Sequence, residues 1–200
     1  TPRSIVDADT SIGIALGMAV SYTGGGALRV PAILDLSVVK VSGGATRSLR
    51  YQSAKKRCAV AYDRTKSEGL QGHAAFAKTK MTMKFTSERL TCLLLTVAIR
   101  FKPHVAIAAN TLYGKRASLY HGAFLIAENG LPMQEDRLRF LMNREIQKYL
   151  PGLSVAPLRH VTEAISLKAV ENIAPTSDRN YENVMRLTMI ALSAHSEATS

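Results

Sequence analysis

The period of apolar and polar positions changes near residue 44. Residues 1–10 are mostly polar and read as an arm, and residues 12–22 are apolar but interrupted by Gly13 and Gly17. That run fits either a strand or a short buried helix, and Gly24, Gly25 and Gly26 break it. Leu34, Leu36 and Val38 then alternate with Asp35 and Ser37, and Val39 and Val41 flank Lys40. Alternation with β-branched side chains predicts a strand over residues 28–41, with Pro31 at its start or on an edge. Gly43 and Gly44 end it. A β-hairpin through the triple glycine would pair the two runs. Two strands are marginal alone, so they must lie on helices or pair with another subunit.

Beyond residue 44 the spacing turns helical. Thr46 or Ser48 can cap a helix running to about Lys66, with Tyr51, Ala54, Cys58, Ala61, Tyr62 and Thr65 recurring at three and four residues as its inward stripe. Residues 72–80 are Ala-rich, and Met81, Met83 and Phe85 alternate with Thr82 and Lys84 as in an extended piece. Thr86, Ser87 and Glu88 read as a helix start. Residues 90–99 are apolar nearly all round, as in a central buried helix ended by Lys102 and Pro103. Two more apolar segments, 104–112 and 116–126, flank Tyr113, Gly114 and Lys115.

Asn129-Gly130 reads as a turn. Pro132 then suits a first helical position, followed by Gln134, Glu135 and Asp136, where acids complement the helix dipole. Leu138, Leu141, Met142, Ile146, Tyr149 and Leu150 make that helix's apolar face, and Pro151-Gly152 stops it. Pro157 opens another helix to about Asn172. Thr176, Ser177 and Asp178 cap a last one to about Ser193. The fold class expected is mainly α: an N-terminal arm and β-hairpin (residues 1–44, an assembly contact), a helical core (45–193) and a short tail (194–200).

Composition supports a packed core. Apolar residues make up 46% of the 200, aromatics only 6%, and Trp is absent, so Ala, Leu, Val and Met must fill the interior. Two cysteines, Cys58 and Cys92, are too few for a disulfide scaffold and read as reduced core residues. The chain begins at Thr1, so it is processed or incomplete. Residues 12–20 lack a basic flank and fall far short of the ~20 residues needed to span a bilayer. The Gly13–Gly17 spacing is weak evidence for membrane helix packing in so short a run.

Charge sharpens the picture. Residues 40–127 hold 16 Lys/Arg against three Asp/Glu, a net +13, while the remainder holds 10 against 12. All of the chain's +11 therefore sits in its middle, and no acid occurs between Glu88 and Glu128. Such a segment attracts polyanions, and Lys/Arg neutralising phosphates give salt-sensitive, sequence-independent affinity. Arg47, Arg50, Lys55, Lys56, Arg57, Arg64 and Lys66 are the candidate phosphate contacts, with Lys115 and Arg116 joining them. Tyr51, Tyr62, Tyr113 and Tyr120 lie near these cations and could stack on unpaired bases, unless the first two belong to the helical stripe.

Signatures of chemistry are weak. Residues 109–116 (ANTLYGKR) miss a phosphate-binding loop, since Arg116 stands where Ser/Thr would hold Mg²⁺ and the cradle glycines are lacking. His73, His104, His121, His160 and His195 are scattered, and no CxxC or HxxxH occurs, which gives no metal site. Asp7 and Asp9 form a DxD that in an arm reads as a solvated pair or cap. Catalytic residues, cofactor and metal are each expected to be absent. The reading is a structural protein binding single-stranded RNA and copies of itself, with no membrane partner, as a viral coat or nucleocapsid subunit found in the virion and, before assembly, in the cytoplasm. The alternatives are a subunit of a cellular or organellar ribonucleoprotein such as a ribosome, and an enzyme acting on a phosphorylated or nucleic-acid substrate.

Overall fold

The computed structural model describes residues 1–23, 28–39, 48–63 and 81–173. The fold is mainly α with a small antiparallel sheet. It opens with helix α1 (Pro2–Thr23), so the expected polar arm is the first half of a helix. The reason lies in the spacing: Val6, Asp9, Gly13, Leu16, Gly17 and Val20 recur at three and four residues and are all buried. Polar groups on the other side serve the helix itself, with Arg3 and Asp7 paired at 3.3 Å. Gly13 and Gly17 are where α1 is approached closely. A Cβ at Gly13 would stand 2.3 Å from the Leu125 carbonyl oxygen, and one at Gly17 would stand 2.8 Å from Ile33 Cγ2. The GxxxG spacing thus serves packing inside this domain.

The strand expected over residues 28–41 is instead a short helix α2 (Val30–Leu34), with Pro31 in its first turn, followed by a single bridge from Ser37 to Phe124. Pro31 suits a helix start better than a ladder, because it supplies a fixed φ and no N–H. The partner of this segment is the chain after helix α5 below, through Val38 N–H to the Ala123 carbonyl (2.8 Å) and Leu125 N–H to the Leu36 carbonyl (2.7 Å). The proposed pairing with residues 12–22 therefore does not form. The triple glycine, Lys40 and Val41 lie outside the described residues.

The helix expected from Thr46 or Ser48 to Lys66 is also overturned. Strand β1 (Leu49–Gln52), a 3₁₀ turn (Ser53–Lys55) and strand β2 (Arg57–Asp63) form a hairpin. Strand β3 (Met81–Phe85), which the alternation did predict as extended, completes the sheet in the order β1-β2-β3. Leu49 faces Val60 and Tyr51 faces Cys58, while Ala59 lies opposite Phe85. Cys58 and Val60 enter the main core and Ala59 is buried as well. Alanine's helix propensity is only a weak prior, and cross-strand burial overrides it. Lys56 closes the turn in the left-handed region at φ 50°.

Ser87 caps helix α3 (Glu88–Thr96) by accepting from Leu90 N–H, as expected. Lys102-Pro103 does not end this run. A π-turn (Val97–Phe101) carries it into helix α4 (Lys102–Tyr113), which makes one continuous helix, Glu88–Tyr113. The wider turn absorbs the missing proline N–H within the first turn of α4. Nor is the run buried all round: Leu90, Thr91 and Leu94 face inward, whereas Leu93 (56%) and Ile99 (68%) are exposed. Cys92 is exposed too, contrary to its reading as a core residue, while Cys58 is buried.

Helix α5 (Lys115–Ala123) folds back on α4 after Gly114, whose φ of 88° suits glycine. Strands β4 (Ala127–Glu128) and β5 (Leu131–Pro132) flank the expected Asn129-Gly130 turn, with both turn residues at positive φ. Pro132 belongs to β5, so helix α6 (Glu135–Tyr149) starts three residues later, with Glu135 and Asp136 in its first turn. Leu138, Leu141, Met142 and Ile146 are its buried face, whereas Tyr149 and Leu150 are exposed. Helix α7 (Val155–Ile173) begins two residues before Pro157. The last expected helix and the tail lie outside the described residues. One core joins Leu16, Val20, Ile33 and Leu36 to Val60, Leu94, Leu138 and Met142, so residues on both sides of position 44 share it.

Candidate nucleic-acid interface

The β1–β2 hairpin is held firmly at its base. Ser37 and Ser48 exchange bonds, Ser37 N–H to Ser48 Oγ at 2.6 Å and Ser48 N–H to Ser37 Oγ at 3.1 Å. On the other strand Cys58 N–H donates to Thr91 Oγ1 at 3.0 Å, and Thr86 donates through both its N–H (2.9 Å) and its hydroxyl (3.1 Å) to the Cys58 carbonyl. Leu49, Cys58 and Val60 sink into the core. The far end of the hairpin is polar and exposed by contrast.

That end carries Arg50, Lys55, Lys56 and Arg57, all exposed, with Tyr51 beside them at 46% exposure. Strand alternation sends Leu49 inward and Arg50 outward, and the tight turn then displays three consecutive cations. Lys55 and Arg57 have local anchors. Lys55 Nζ sits 4.6 Å from the Phe85 ring centroid, and Arg57 lies 3.8 Å from Glu88. Glu88 is exposed and Phe85 partly so, and both contacts cost little to exchange for a phosphate.

Lys115 and Arg116 sit elsewhere, at the start of α5. Arg116 lies over the Tyr120 ring, 5.7 Å from guanidinium carbon to centroid, and donates to the Tyr120 hydroxyl at 3.2 Å. Residues 104–109 are helical, so the segment around Gly114 is a helix–glycine–helix turn with no loop to cradle phosphates. Arg47, Arg64 and Lys66 lie outside the described residues.

Sequence reasoning missed a buried polar cluster. Asp9 is fully buried, and Lys102 Nζ lies 2.8 Å from its Oδ1 and 3.0 Å from its Oδ2. The Oδ1 approach is ionic rather than a directed hydrogen bond. Lys102 also donates to the Leu125 carbonyl at 3.1 Å. His121, also fully buried, meets Asp9 Oδ2 through Nδ1 at 2.8 Å and accepts from Gly130 N–H at Nε2 (3.2 Å). With Nε2 accepting, the neutral ring carries its proton on Nδ1 and donates it to Asp9. Burial lowers the Lys102 pKa, and Asp9 opposes that shift by charge and hydrogen bonding. The signal was available: Asp9 falls on the same stripe as Val6, Gly13 and Val20, so it could not be a solvated cap.

A second buried cation, Lys84, donates to the Ser21 carbonyl at 3.1 Å, and desolvation lowers its pKa to about 8. Among the described residues, no three His, Cys, Asp or Glu side chains converge as a metal site. No protein-family model, curated protein or solved structure matches the chain.

Proposed function

We propose that this protein is a structural RNA-binding subunit that assembles with copies of itself around single-stranded RNA, as a viral coat or nucleocapsid protein does. One observation carries the reading. Lys55, Lys56 and Arg57 form the exposed tip of a hairpin whose base is bonded into the core, and Arg50 and Tyr51 stand beside them. A rigid basic tip meets a phosphate backbone without first losing chain entropy, and an exposed tyrosine can stack on an unpaired base. The net charge of +11 adds long-range attraction.

For self-assembly, the outer surfaces of α6 and α7 offer apolar side chains: Phe140, Tyr149, Leu150, Val161 and Ile165. Charges of both signs accompany them, including Asp136, Arg139, Arg144, Glu145 and Lys148, so copies can pair charges across a contact. Binding of the purified protein to unstructured single-stranded RNA, followed by fluorescence anisotropy across a salt series, tests the reading. Affinity should fall as salt rises. A variant with Lys55→Glu, Lys56→Glu and Arg57→Glu should bind at least tenfold more weakly. Salt-independent binding, or a variant that binds as the parent does, rejects the reading.

A further inference from the structure

The continuous helix Glu88–Tyr113 is apolar and long, yet one side of it is exposed and meets no partner among the described residues. Its inward side buries Leu90, Leu94, Lys102, Val105, Ala108 and Ala109. Its outward side shows Cys92, Thr96, Ile99, Pro103 and Ile107, at spacings of four, three, four and four, which keep them on one side of a helix. Ile99 and Ile107 are 68% and 66% exposed, and Leu119 on α5 is 65% exposed. The exposed ionic groups along and beyond this stripe are the cations Arg89, Arg100, Lys115 and Arg116 and, at the helix start, Glu88, which lies 3.8 Å from Arg57; no acid occurs between Glu88 and Glu128.

Charge selects the occupant. Two copies meeting through this face in a symmetric pair would set these cations against their own equivalents with only Glu88, already beside Arg57, to offset them, an unfavourable arrangement. An anionic bilayer satisfies both halves of the surface. Exposed isoleucine and leucine enter the headgroup–acyl boundary while Lys and Arg meet lipid phosphates. Spanning is a different matter. The inward side is committed to the core and carries the Asp9–Lys102 ion pair, so the helix can lie on a membrane but cannot cross one without unfolding the domain. We infer that the α3–α5 face is a peripheral docking surface for anionic lipid membranes, separate from the hairpin tip and independent of its RNA-binding role.

Flotation of the full chain with phosphatidylcholine vesicles, and with vesicles containing 30% phosphatidylserine, tests this. The chain should float with the anionic vesicles only, and rising salt should weaken the association. The surface variant Ile99→Glu with Ile107→Glu should float at least tenfold less while retaining RNA affinity. The hairpin variant should do the reverse. Because the protein has no tryptophan, Ile107→Trp supplies a direct reporter whose emission should shift to the blue on anionic vesicles. Three results would each overturn the inference: no flotation, flotation unchanged by the paired glutamates, or a glutamate variant that alters only the size of the protein's own assembly.

Discussion

Lysines on the hairpin and lysines in the core carry the same charge and do opposite work. Lys55 and Lys56 stand in solvent at a turn, tethered at most by a ring contact to Phe85. Lys102 and Lys84 are almost wholly buried, the first against Asp9 and the Leu125 carbonyl, the second against the Ser21 carbonyl. These two buried lysines are committed to contacts between elements, Lys102 between helices and Lys84 from β3 to α1, and cannot reach a ligand. The exposed set contributes little to stability and is available to a polyanion. Net charge alone does not separate these roles; burial does.

The contrast can be broken most severely at Lys102. Lys102→Met leaves the Asp9 carboxylate buried with only His121 as a side-chain partner, and should cost about 3–5 kcal/mol of unfolding free energy in a urea titration. A variant as stable as the parent would remove Asp9–Lys102 from the account. Next comes the pH dependence of Lys84. Its folded pKa, about 8, lies below the ordinary lysine value of 10.5, so the unfolded chain holds more protons between those values. Stability should therefore rise with pH through that window, by up to ~3 kcal/mol. Lys84→Met should flatten that rise between pH 7.5 and 9.5, and an unchanged slope would argue against burial of the charge. Smallest is the effect of the hairpin on folding. Lys55→Glu, Lys56→Glu and Arg57→Glu together should move unfolding free energy by roughly 1 kcal/mol or less, since substitutions at exposed sites are usually mild. A much larger loss would mean that the tip is structural and not a free surface.

Much of the helical half was legible because its signals are local. Ser87 as a cap, Asn129-Gly130 as a turn, and Leu138, Leu141, Met142 and Ile146 as one face all follow from spacing within a few turns. What failed depended on distant partners. Ala54, Cys58 and Ala61 fit a helical stripe until β3, some twenty residues later, pairs with β2. Pro103 looked like a stop because a π-turn is not written in the pattern. The basic tip was half legible. The residues Arg50, Lys55, Lys56 and Arg57 were identified by charge, but their gathering at one turn required the strand pairing. Lys115 and Arg116 share that charge and belong to a different element. Asp9 was misplaced because its stretch read as a polar arm; its place on the stripe signals burial, but its partner Lys102, 93 positions away, is visible only in the fold.

The most direct test of the central claim is the salt slope of single-stranded RNA binding, compared between the parent and the triple hairpin variant. Each phosphate neutralised on a single strand contributes about −0.7 to the slope of log affinity against log salt. Engagement of Lys55, Lys56 and Arg57 should therefore make the parent slope about 2 units steeper than the variant's, with the variant still folded. Equal slopes in two folded proteins would show that the hairpin tip does not hold the backbone.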